Sequence, residues 1–278
     1  MSLLSAPFFD YRKGVLHVED LPLPELAERF GTPLFVYSRA ALTHRLREFQ
    51  TALAAHPAGA DALICYAVKA NGNLSLLRHF ARQGAGFDIV SGGELARVLA
   101  AGGDPGKVVF SGVGKTAAEI EAALTADILS FNVESAAELE RLSAIASRLG
   151  KSAPCSLRVN PDVDPKTHPY IATGLKTAKF GVPIEDAAEF YTRAAALPNL
   201  EIVGVDCHIG SQLLDPSPYA AALTRLLALV DDLKARGIAL KHIDLGGGLG
   251  IRYRPEEREP EVAAYLAPLL AALAGRGL

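Results

Sequence analysis

Hydrophobic and polar positions along the chain follow two alternating periods, one typical of strands and one typical of helices. From about residue 34, short β-branched runs lead into turns rich in Gly, Asn and Ser, and then into stretches of Ala, Leu, Glu and Arg with helical spacing, such as "SAAELERLSAIASRLG" (135–150). The pattern therefore predicts strands that alternate with helices. The predicted strands are "LFVYS" (34–38), "ALICYAV" (62–68), "GFDIVS" (86–91), "VVFSG" (108–112), "ILSFNV" (128–133), "CSLRVN" (155–160), "VGVDCHIG" (203–210) and "HIDLGGG" (242–248).

This alternation predicts an α/β fold, because strands separated by helices pair in parallel through right-handed crossovers. Seven or eight such units at this spacing favour a (β/α)8 TIM-type barrel. A doubly wound parallel sheet is the alternative. Residues 1–33 lie outside the repeat and predict a short strand or two with a small helix.

Residues 161–183, "PDVDPKTHPYIATGLKTAKFGVP", interrupt the repeat with a long polar insertion directly after a predicted strand. Long loops inside a compact domain are usually functional, and many act as lids. We therefore expect this insertion to lie over a ligand site.

Composition narrows the range of partners. The chain has 278 residues, of which 50% are hydrophobic and 21% charged, with a net charge of −3. This balance offers no basic surface for nucleic acid, and no apolar run approaches the roughly 20 residues that span a bilayer. The 3 cysteines lie far apart in apolar runs, which predicts buried, reduced thiols and a cytoplasmic location.

Polar side chains gather at the carboxyl ends of the predicted strands, where parallel α/β folds bind ligands. Each alone has a structural explanation: Ser111 and Glu134 could cap helices, Asp88 and Arg158 could form an ion pair, and His208 could be a core histidine. Their shared position favours a single site. The residues are Lys69, Asn71, Asp88, Ser91, Glu94, Ser111, Asn132, Glu134, Arg158, Asn160, His208, Ser211 and the turn Gly246–Gly248.

Lys69 ends the apolar run "ICYAVKANGN" (64–73). A lysine carried so deep needs a partner or a chemical use, because burial lowers the pKa of its ammonium group. We therefore expect Lys69 to be a buried, neutral nucleophile.

The stretch "DLGGGLG" (244–250) places three glycines in a row, which lets backbone N–H groups approach an anion closely. It matches neither the dinucleotide fingerprint nor the P-loop, and a tight turn is the structural alternative. A nucleophilic lysine, an imidazole, an acid and a phosphate site together favour pyridoxal 5′-phosphate as cofactor.

These residues stand in motifs that resemble a known family. "YAVKAN" and "HIGSQ" are similar to motifs of the alanine-racemase-type (fold-type III) pyridoxal-phosphate decarboxylases, and "THPYIATGLKTAKFG" is similar to the diaminopimelate decarboxylase branch. The other markers are "GTPLFVYS", "GAGFDIVSGGEL", "VVFSGVGK", "FNVES" and "DLGGGLGI". The resemblance runs from about Phe8 to the last residue.

The resemblance implies a role for each residue. Lys69 would hold the cofactor covalently and His208 would stack on its ring, and both would be catalytic. The phosphate would be held by Ser211 and by Gly246, Gly247 and Gly248. Asp88, Glu94 and Arg158 would line the cofactor site, and a lid would bring His168, Tyr170 and Lys179 to an amino-acid substrate.

The implied reaction is the decarboxylation of meso-2,6-diaminopimelate to L-lysine and CO2, by a homodimer in the full-length form. The family continues past the glycine turn with a strand ending in Glu-Pro-Gly-Arg and a β-rich domain, neither of which is in this sequence. We therefore expect a truncated enzyme. Its residues 1–38 would belong to the β-rich domain, and 39–278 would form a barrel that lacks its last strand.

Two other functions remain open. One is a catalytically silent relative that binds the cofactor or a protein partner. The other is a racemase or another decarboxylase on the same barrel, which the diaminopimelate-type insertion disfavours.

Overall fold

The protein, described here by a computed structural model that covers residues 8–164, 180–254 and 256–277, is built around a curled parallel sheet. The strands are β1 Phe9–Arg12, β2 Val15–Val18, β3 Leu21–Pro22, β4 Cys65–Ala67, β5 Gly86–Ile89, β6 Val108–Phe110, β7 Ser130–Val133, β8 Ala153–Asn160, β9 Val182–Pro183, β10 Leu200–Asp206 and β11 His242–Asp244.

The helices follow these strands in the predicted alternation. They are α1 Leu23–Phe30, α2 Arg39–Ala54, α3 Leu74–Arg82, α4 Gly92–Ala100, α5 Ala117–Thr125, α6 Ala136–Leu149, α7 Ile184–Ala196, α8 Ser217–Ala235 and α9 Val262–Leu273. Short 3-10 turns cover Pro57–Gly59, Val68–Ala70 and Pro105–Lys107.

The main sheet has the order β11-β10-β8-β7-β6-β5-β4, and every neighbouring pair is parallel. β9 pairs only with the end of β8. Apart from β9, each strand lies beside the next in chain order, so the sheet winds in one direction and has no point where the order reverses. The doubly wound alternative is therefore wrong, and the predicted barrel without its last strand is confirmed.

The predicted strand "LFVYS" (34–38) is wrong. These residues form no strand, and Phe35 and Tyr37 are 84% and 58% exposed. Their β-branched and aromatic side chains suit a strand, but no other strand of the described chain lies beside them to supply hydrogen bonds.

The N-terminal residues form a small antiparallel meander of β1, β2 and β3 followed by α1, in place of the expected one or two strands. Glu19 connects this meander to the barrel. Its Oε1 accepts hydrogen bonds from the Ser38 hydroxyl at 2.7 Å and from the Ala40 N–H at 2.9 Å, at the start of α2.

The turns after the strands begin with helix caps, which fix where each helix starts. Asn73, Ser91, Thr116 and Ser135 each accept a hydrogen bond from a backbone N–H in the first turn of α3, α4, α5 and α6. Neither Ser111 nor Glu134 is a cap, so their side chains are available to the barrel interior.

The apolar faces of the strands point toward the helices. Phe87, Phe110 and Phe131 are at most 1% exposed, in a cluster with residues of α3 to α6. α2 packs against α9, so the layer of helices continues from one edge strand of the sheet, β4, to the other, β11. No helix in the described ranges is long and apolar enough to cross a membrane.

The opposite strand faces are polar and line the barrel interior. The Ser130 and Ser156 hydroxyls lie 3.1 Å apart, and Ser156 Oγ lies 3.1 Å from Nε2 of His242. Asn132, Arg158 and Asp244 each lie two residues further along these strands, toward the carboxyl ends, and Asp206 ends β10 between them. The interior therefore becomes more highly charged toward the mouth of the barrel.

Candidate active site

Lys69 lies at the barrel mouth, in the 3-10 turn that directly follows β4. The preceding Val68 is 1% exposed, but Lys69 itself is exposed. The predicted burial of Lys69 is therefore wrong: the apolar run ends one residue earlier, and the turn directs the lysine out of the core. Its charge nonetheless acts on Asp88 and His208, so the three residues share one electrostatic environment.

Asp88 lies on β5 and faces the interior. Its Oδ1 accepts a hydrogen bond from the Ser111 hydroxyl at 2.7 Å. Burial raises the pKa of Asp88 to about 6, with Asp244 and Glu94 acting in the same direction, while Ser111 and Lys69 oppose the rise. Asp88 therefore changes charge near pH 6.

Arg158 forms its ion pairs with other acids than Asp88, so the structural alternative of an Asp88–Arg158 pair is wrong. Arg158 Nη1 lies 3.2 Å from Oε1 of Glu134, and Nε lies 3.9 Å from Oδ2 of Asp206. Burial raises the pKa of Asp206 well above its ordinary value, and Asp244 adds to the rise. Arg158 thus pairs with the two buried acidic residues at the ends of β7 and β10.

Glu134 also anchors the end of the 161–183 insertion. Its Oε2 accepts a hydrogen bond from the Gly181 N–H at 3.2 Å, and the Arg158 guanidinium lies over the ring of Phe180, 5.2 Å from its centre. Residues 165–179, which include His168, Tyr170 and Lys179, lie outside the described residues.

Glu94 has a structural role in the turn between β5 and α4. Its Oε2 accepts from the Val90 N–H at 2.7 Å, while its own N–H donates to Ser91 Oγ at 3.2 Å. The two bonds hold the first turn of α4 beside Asp88. Glu94 therefore acts on the site through the shape of this turn and through its charge on Asp88.

His208 follows β10 and contacts the glycine turn. Its Nδ1 accepts a hydrogen bond from the Gly247 N–H at 3.4 Å. Burial, with Arg158 and Lys69 nearby, lowers the pKa of His208 to about 4. The imidazole is therefore neutral at pH 7, and since Nδ1 accepts, its hydrogen is on Nε2.

The glycine turn packs closely against the loop that follows His208. A Cβ on Gly248, whose φ is 114°, would collide with the carbonyl oxygen of Gly210. A Cβ on Gly247 would meet nothing within 4 Å. Gly246, Gly247 and the nearby Ser211 are exposed, so the turn presents an open backbone surface beside a hydroxyl group.

Comparison with known proteins shows the family to which this chain belongs. The sequence model of the family described as "Pyridoxal-dependent decarboxylase, pyridoxal binding domain" matches residues 39–276. The chain belongs to the pyridoxal-dependent decarboxylases. Lys69, His208 and the glycine turn all lie inside the matched range of this pyridoxal-binding domain.

The chain is similar to curated relatives over most of its length. It is 61% identical over 250 residues to a diaminopimelate decarboxylase of Neisseria meningitidis, covering 90% of this chain and 59% of that protein. It is 56% identical over 270 residues to one of Pseudomonas aeruginosa, covering 97% and 64%. The chain therefore spans about three fifths of the length of these relatives.

The fold is also similar to solved structures of diaminopimelate decarboxylases. The diaminopimelate decarboxylase of M. jannaschii in co-complex with L-lysine aligns with a TM-score of 0.90 at 36% identity, covering 98% of this chain and 63% of that chain. The Helicobacter pylori enzyme complexed with L-lysine aligns with a TM-score of 0.87 at 43% identity, covering 92% of this chain and 64% of that chain.

The site residues of this decarboxylase domain fit pyridoxal phosphate. The open face at Gly247 leaves room for a phosphate beside backbone N–H groups. Lys69 offers an exposed amine at the same mouth, and His208 offers a neutral ring. In addition, Oδ1 of Asn132, which is 1% exposed, has no hydrogen-bond partner within the described ranges.

Asp206 and Asp244 were missed at the sequence level, although they line the domain's interior. Their signal is the alternation of polar residues along successive strands: Ser130 and Asn132, Ser156 and Arg158, Asp206 and His208, His242 and Asp244. This period-two pattern on strands whose other face is apolar predicts a polar barrel interior.

Lys115 and Glu138 form a second missed feature next to this interior. Lys115 is 3% exposed, and its Nζ donates to Glu138 Oε1 at 2.6 Å and to the Gly112 and Asn132 carbonyl oxygens at 2.6 and 2.7 Å. The lysine thereby ties the loop after β6 to β7 and α6.

Proposed function

We propose that this chain is the pyridoxal-binding part of a diaminopimelate decarboxylase, which converts meso-2,6-diaminopimelate to L-lysine and CO2. The observation that carries the proposal is the 61% identity to a diaminopimelate decarboxylase over 90% of the chain. The co-complexes of two structural relatives with L-lysine, the product of this reaction, support it.

Each site residue would have its own role in binding the cofactor. Lys69 would hold pyridoxal phosphate through its Nζ, while Ser211 and the N–H groups of Gly246–Gly248 would bind the phosphate. His208, kept neutral by burial, would contact the ring without adding charge. Asp88, Glu94 and Arg158 would set the electrostatics beneath it.

When bound, pyridoxal phosphate supplies an electron-accepting ring that stabilises the negative charge left on Cα as CO2 departs. The chain's own contribution is to orient the substrate and limit the access of water to that carbon. The insertion 161–183, with His168, Tyr170 and Lys179, would cover the substrate.

The remaining parts of the proposal concern organisation. Residues 1–38 would belong with a β-rich domain, a role supported by the β1–β3 meander and by the exposed Phe35 and Tyr37. The full-length protein would be a homodimer in the cytoplasm, where its free Cys65, Cys155 and Cys207 would stay reduced. Sedimentation of the full-length protein tests the dimer.

The test combines cofactor attachment with turnover. The purified chain is incubated with pyridoxal phosphate, reduced with borohydride and mapped by mass spectrometry, and a parallel sample is assayed for CO2 and lysine from meso-2,6-diaminopimelate. We expect an adduct on Lys69 that Lys69→Ala abolishes, and that the control Lys241→Ala, a 65% exposed lysine side chain paired with Glu201, retains.

The outcomes separate the alternatives. An adduct on Lys69 together with CO2 release supports the decarboxylase. The adduct without CO2 release from any substrate, in the full-length protein as well as in this chain, would indicate a silent cofactor-binding protein. Release from ornithine or arginine alone would indicate another decarboxylase. Adducts scattered over surface lysines would contradict cofactor binding by this site.

A further inference from the structure

A chain of side-chain hydrogen bonds crosses the barrel interior from one side to the other. We call Asp88, Ser111, Asn132 and Asp244 the polar belt; they lie on or directly after β5, β6, β7 and β11. Asn132 Nδ2 donates to Ser111 Oγ at 3.3 Å and to Asp244 Oδ2 at 3.4 Å. Because β7 and β11 are separated in the sheet by β8 and β10, this second bond spans the open interior.

The donors in the belt have one consistent direction. The two hydrogens of Asn132 Nδ2 serve Ser111 and Asp244, and the Ser111 hydroxyl passes its own hydrogen to Asp88 at 2.7 Å. Hydrogen bonds in such a row strengthen one another. Loss of Asn132 would therefore be felt at Asp88.

The belt ends in the glycine turn. Oδ1 of Asp244 accepts from the Gly246 N–H at 2.8 Å, which closes a tight turn that ends at Gly246, whose φ is 66°. The next N–H, that of Gly247, reaches His208. The conformation of the turn therefore depends on where Asp244 is held.

Asn132 makes its side-chain hydrogen bonds through Nδ2, while Oδ1 has no partner in the described ranges. This indicates that the NH2 group is the part of the side chain needed at this position. A buried acceptor without a partner is unfavourable, and an apolar residue of similar size would avoid it. Such a residue would remove both donors, while an aspartate would add another negative charge beside Asp88 and Asp244.

We propose that Ser111 and Asn132 are positioning residues that couple Asp88 to the glycine turn, so that the acid and the phosphate-binding backbone hold one joint geometry. Its consequence for cofactor binding rests on the proposed function, but the coupling itself does not. Neither residue needs to touch the cofactor for this role.

The test begins without cofactor, on the whole chain. The titration of Asp88 is followed through its 13Cγ resonance, and the Gly246 amide is followed at the same time. The charged groups that face Asp88 are Asp244, Lys69 and Glu94, with Asp206 further along the interior. In the parent chain we expect the Gly246 resonance to shift with the same midpoint as Asp88.

Substitutions in the belt should move that midpoint in opposite directions. Ser111→Ala and Asn132→Leu remove support for the charged carboxylate and should raise the midpoint, whereas Asp244→Asn removes a neighbouring negative charge and should lower it. Ser111→Thr, which keeps the hydroxyl, should restore the parent value. A merely destabilising change has no reason to produce opposite signs.

The control is Ser143→Ala on α6, away from the belt, which deletes a buried hydroxyl that donates to the carbonyl oxygen of Pro198. It should leave both resonances unchanged. In Asn132→Leu, the Gly246 shift should no longer follow Asp88. If Asn132→Leu fails to fold, Ser111→Ala and Asp244→Asn decide the matter.

The second measurement is the affinity for pyridoxal phosphate, by absorbance titration. We expect binding about five- to tenfold weaker in Asn132→Leu and Ser111→Ala, the equivalent of one hydrogen bond, and no loss in Ser143→Ala. Two results would overturn the coupling. One is a titration midpoint of Asp88 that moves in the same direction in Ser111→Ala and Asp244→Asn, and the other is a Gly246 amide resonance that does not change as Asp88 titrates. A parent chain that binds no cofactor would refute the proposed function, and the two resonances would still decide the coupling.

Discussion

At the scale of single residues, the barrel mouth combines an acid and an imidazole whose pKa values burial shifts in opposite directions. Burial raises the pKa of Asp88 to about 6 and lowers the pKa of His208 to about 4. Each group is therefore neutral over part of the pH range in which its free counterpart is charged. The pair keeps the cofactor site nearly free of net charge from these two residues in mildly acidic solution.

This arrangement predicts opposing contributions to stability. Because the pKa of Asp88 rises from 3.8 to about 6 on folding, its contribution is fully present below pH 4 and is lost as the pH rises through 6, a change of about 3 kcal/mol. The pKa of His208 falls from 6.5 to about 4, so its contribution is present above pH 6.5 and is lost as the pH falls toward 4, again about 3 kcal/mol.

Urea unfolding between pH 4 and 7 measures the stability contributions of Asp88 and His208. Relative to the parent, Asp88→Asn should gain stability as the pH rises, and His208→Asn should gain stability as the pH falls. Equal pH profiles for the parent and both variants would contradict the shifted pKa values.

The buried Lys115–Glu138 pair gives a second prediction at this scale. Lys115→Met leaves the Glu138 carboxylate without its cation, and should lower the free energy of unfolding by about 3–5 kcal/mol in urea titrations. Lys115→Met combined with Glu138→Gln should recover part of the loss. The exposed pair Arg148–Glu121 is the control, and Arg148→Met should change little. A loss as small as that of the control would contradict a structural role for the pair.

At the scale of elements, the site depends on the fit between the glycine turn and the loop after β10. The two are joined by hydrogen bonds from Leu213 N–H to the Gly248 carbonyl and from Gly250 N–H to the Leu213 carbonyl, both 2.9 Å. The tight side of the turn holds the loops together, and the open side is left for the ligand.

Two alanine substitutions separate these sides. Gly248→Ala places a methyl group against Gly210 at a φ of 114° and should lower the free energy of unfolding by about 2–4 kcal/mol. Gly247→Ala meets no atom within 4 Å and should change stability by less than about 1 kcal/mol. It should still weaken pyridoxal phosphate binding, as measured by absorbance, because the methyl group fills the open face. Unchanged binding in Gly247→Ala would argue against a phosphate at this turn.

At the scale of the whole molecule, the curled sheet has two edges. Within the described ranges, β4 and β11 each pair with one neighbouring strand, whereas β7 and β8 pair on both sides. Edge strands have backbone groups that no sheet partner satisfies. Local opening should therefore start at the edges.

Hydrogen exchange followed by mass spectrometry checks this. Peptides over 65–67 and 242–244 should exchange faster than peptides over 130–133 and 155–159. Equal protection that is lost on dilution would mean that a second copy covers the edges. Equal protection at every concentration would contradict open edges.

Much of this protein was determined by sequence alone. The two hydrophobic periods predicted the parallel strands and their order, because burial of one strand face against helices leaves a regular pattern. The expectation of a barrel that lacks its last strand came from the family resemblance. The strand ends also located Lys69, Asp88, His208 and the glycine turn, since parallel strands bring their carboxyl ends to one edge. "LFVYS" failed because strand propensity says nothing about whether a partner strand is present.

Other features were decided only by the tertiary structure. The exposure of Lys69, the choice of Glu134 rather than Asp88 as partner of Arg158, and the polar belt all depend on distances between residues far apart in the chain. Asn132 and Asp244 are 112 positions apart in sequence, yet their side chains meet across the barrel. Local pattern reports which face of a strand is buried, whereas the curvature of the sheet decides which buried groups come into contact.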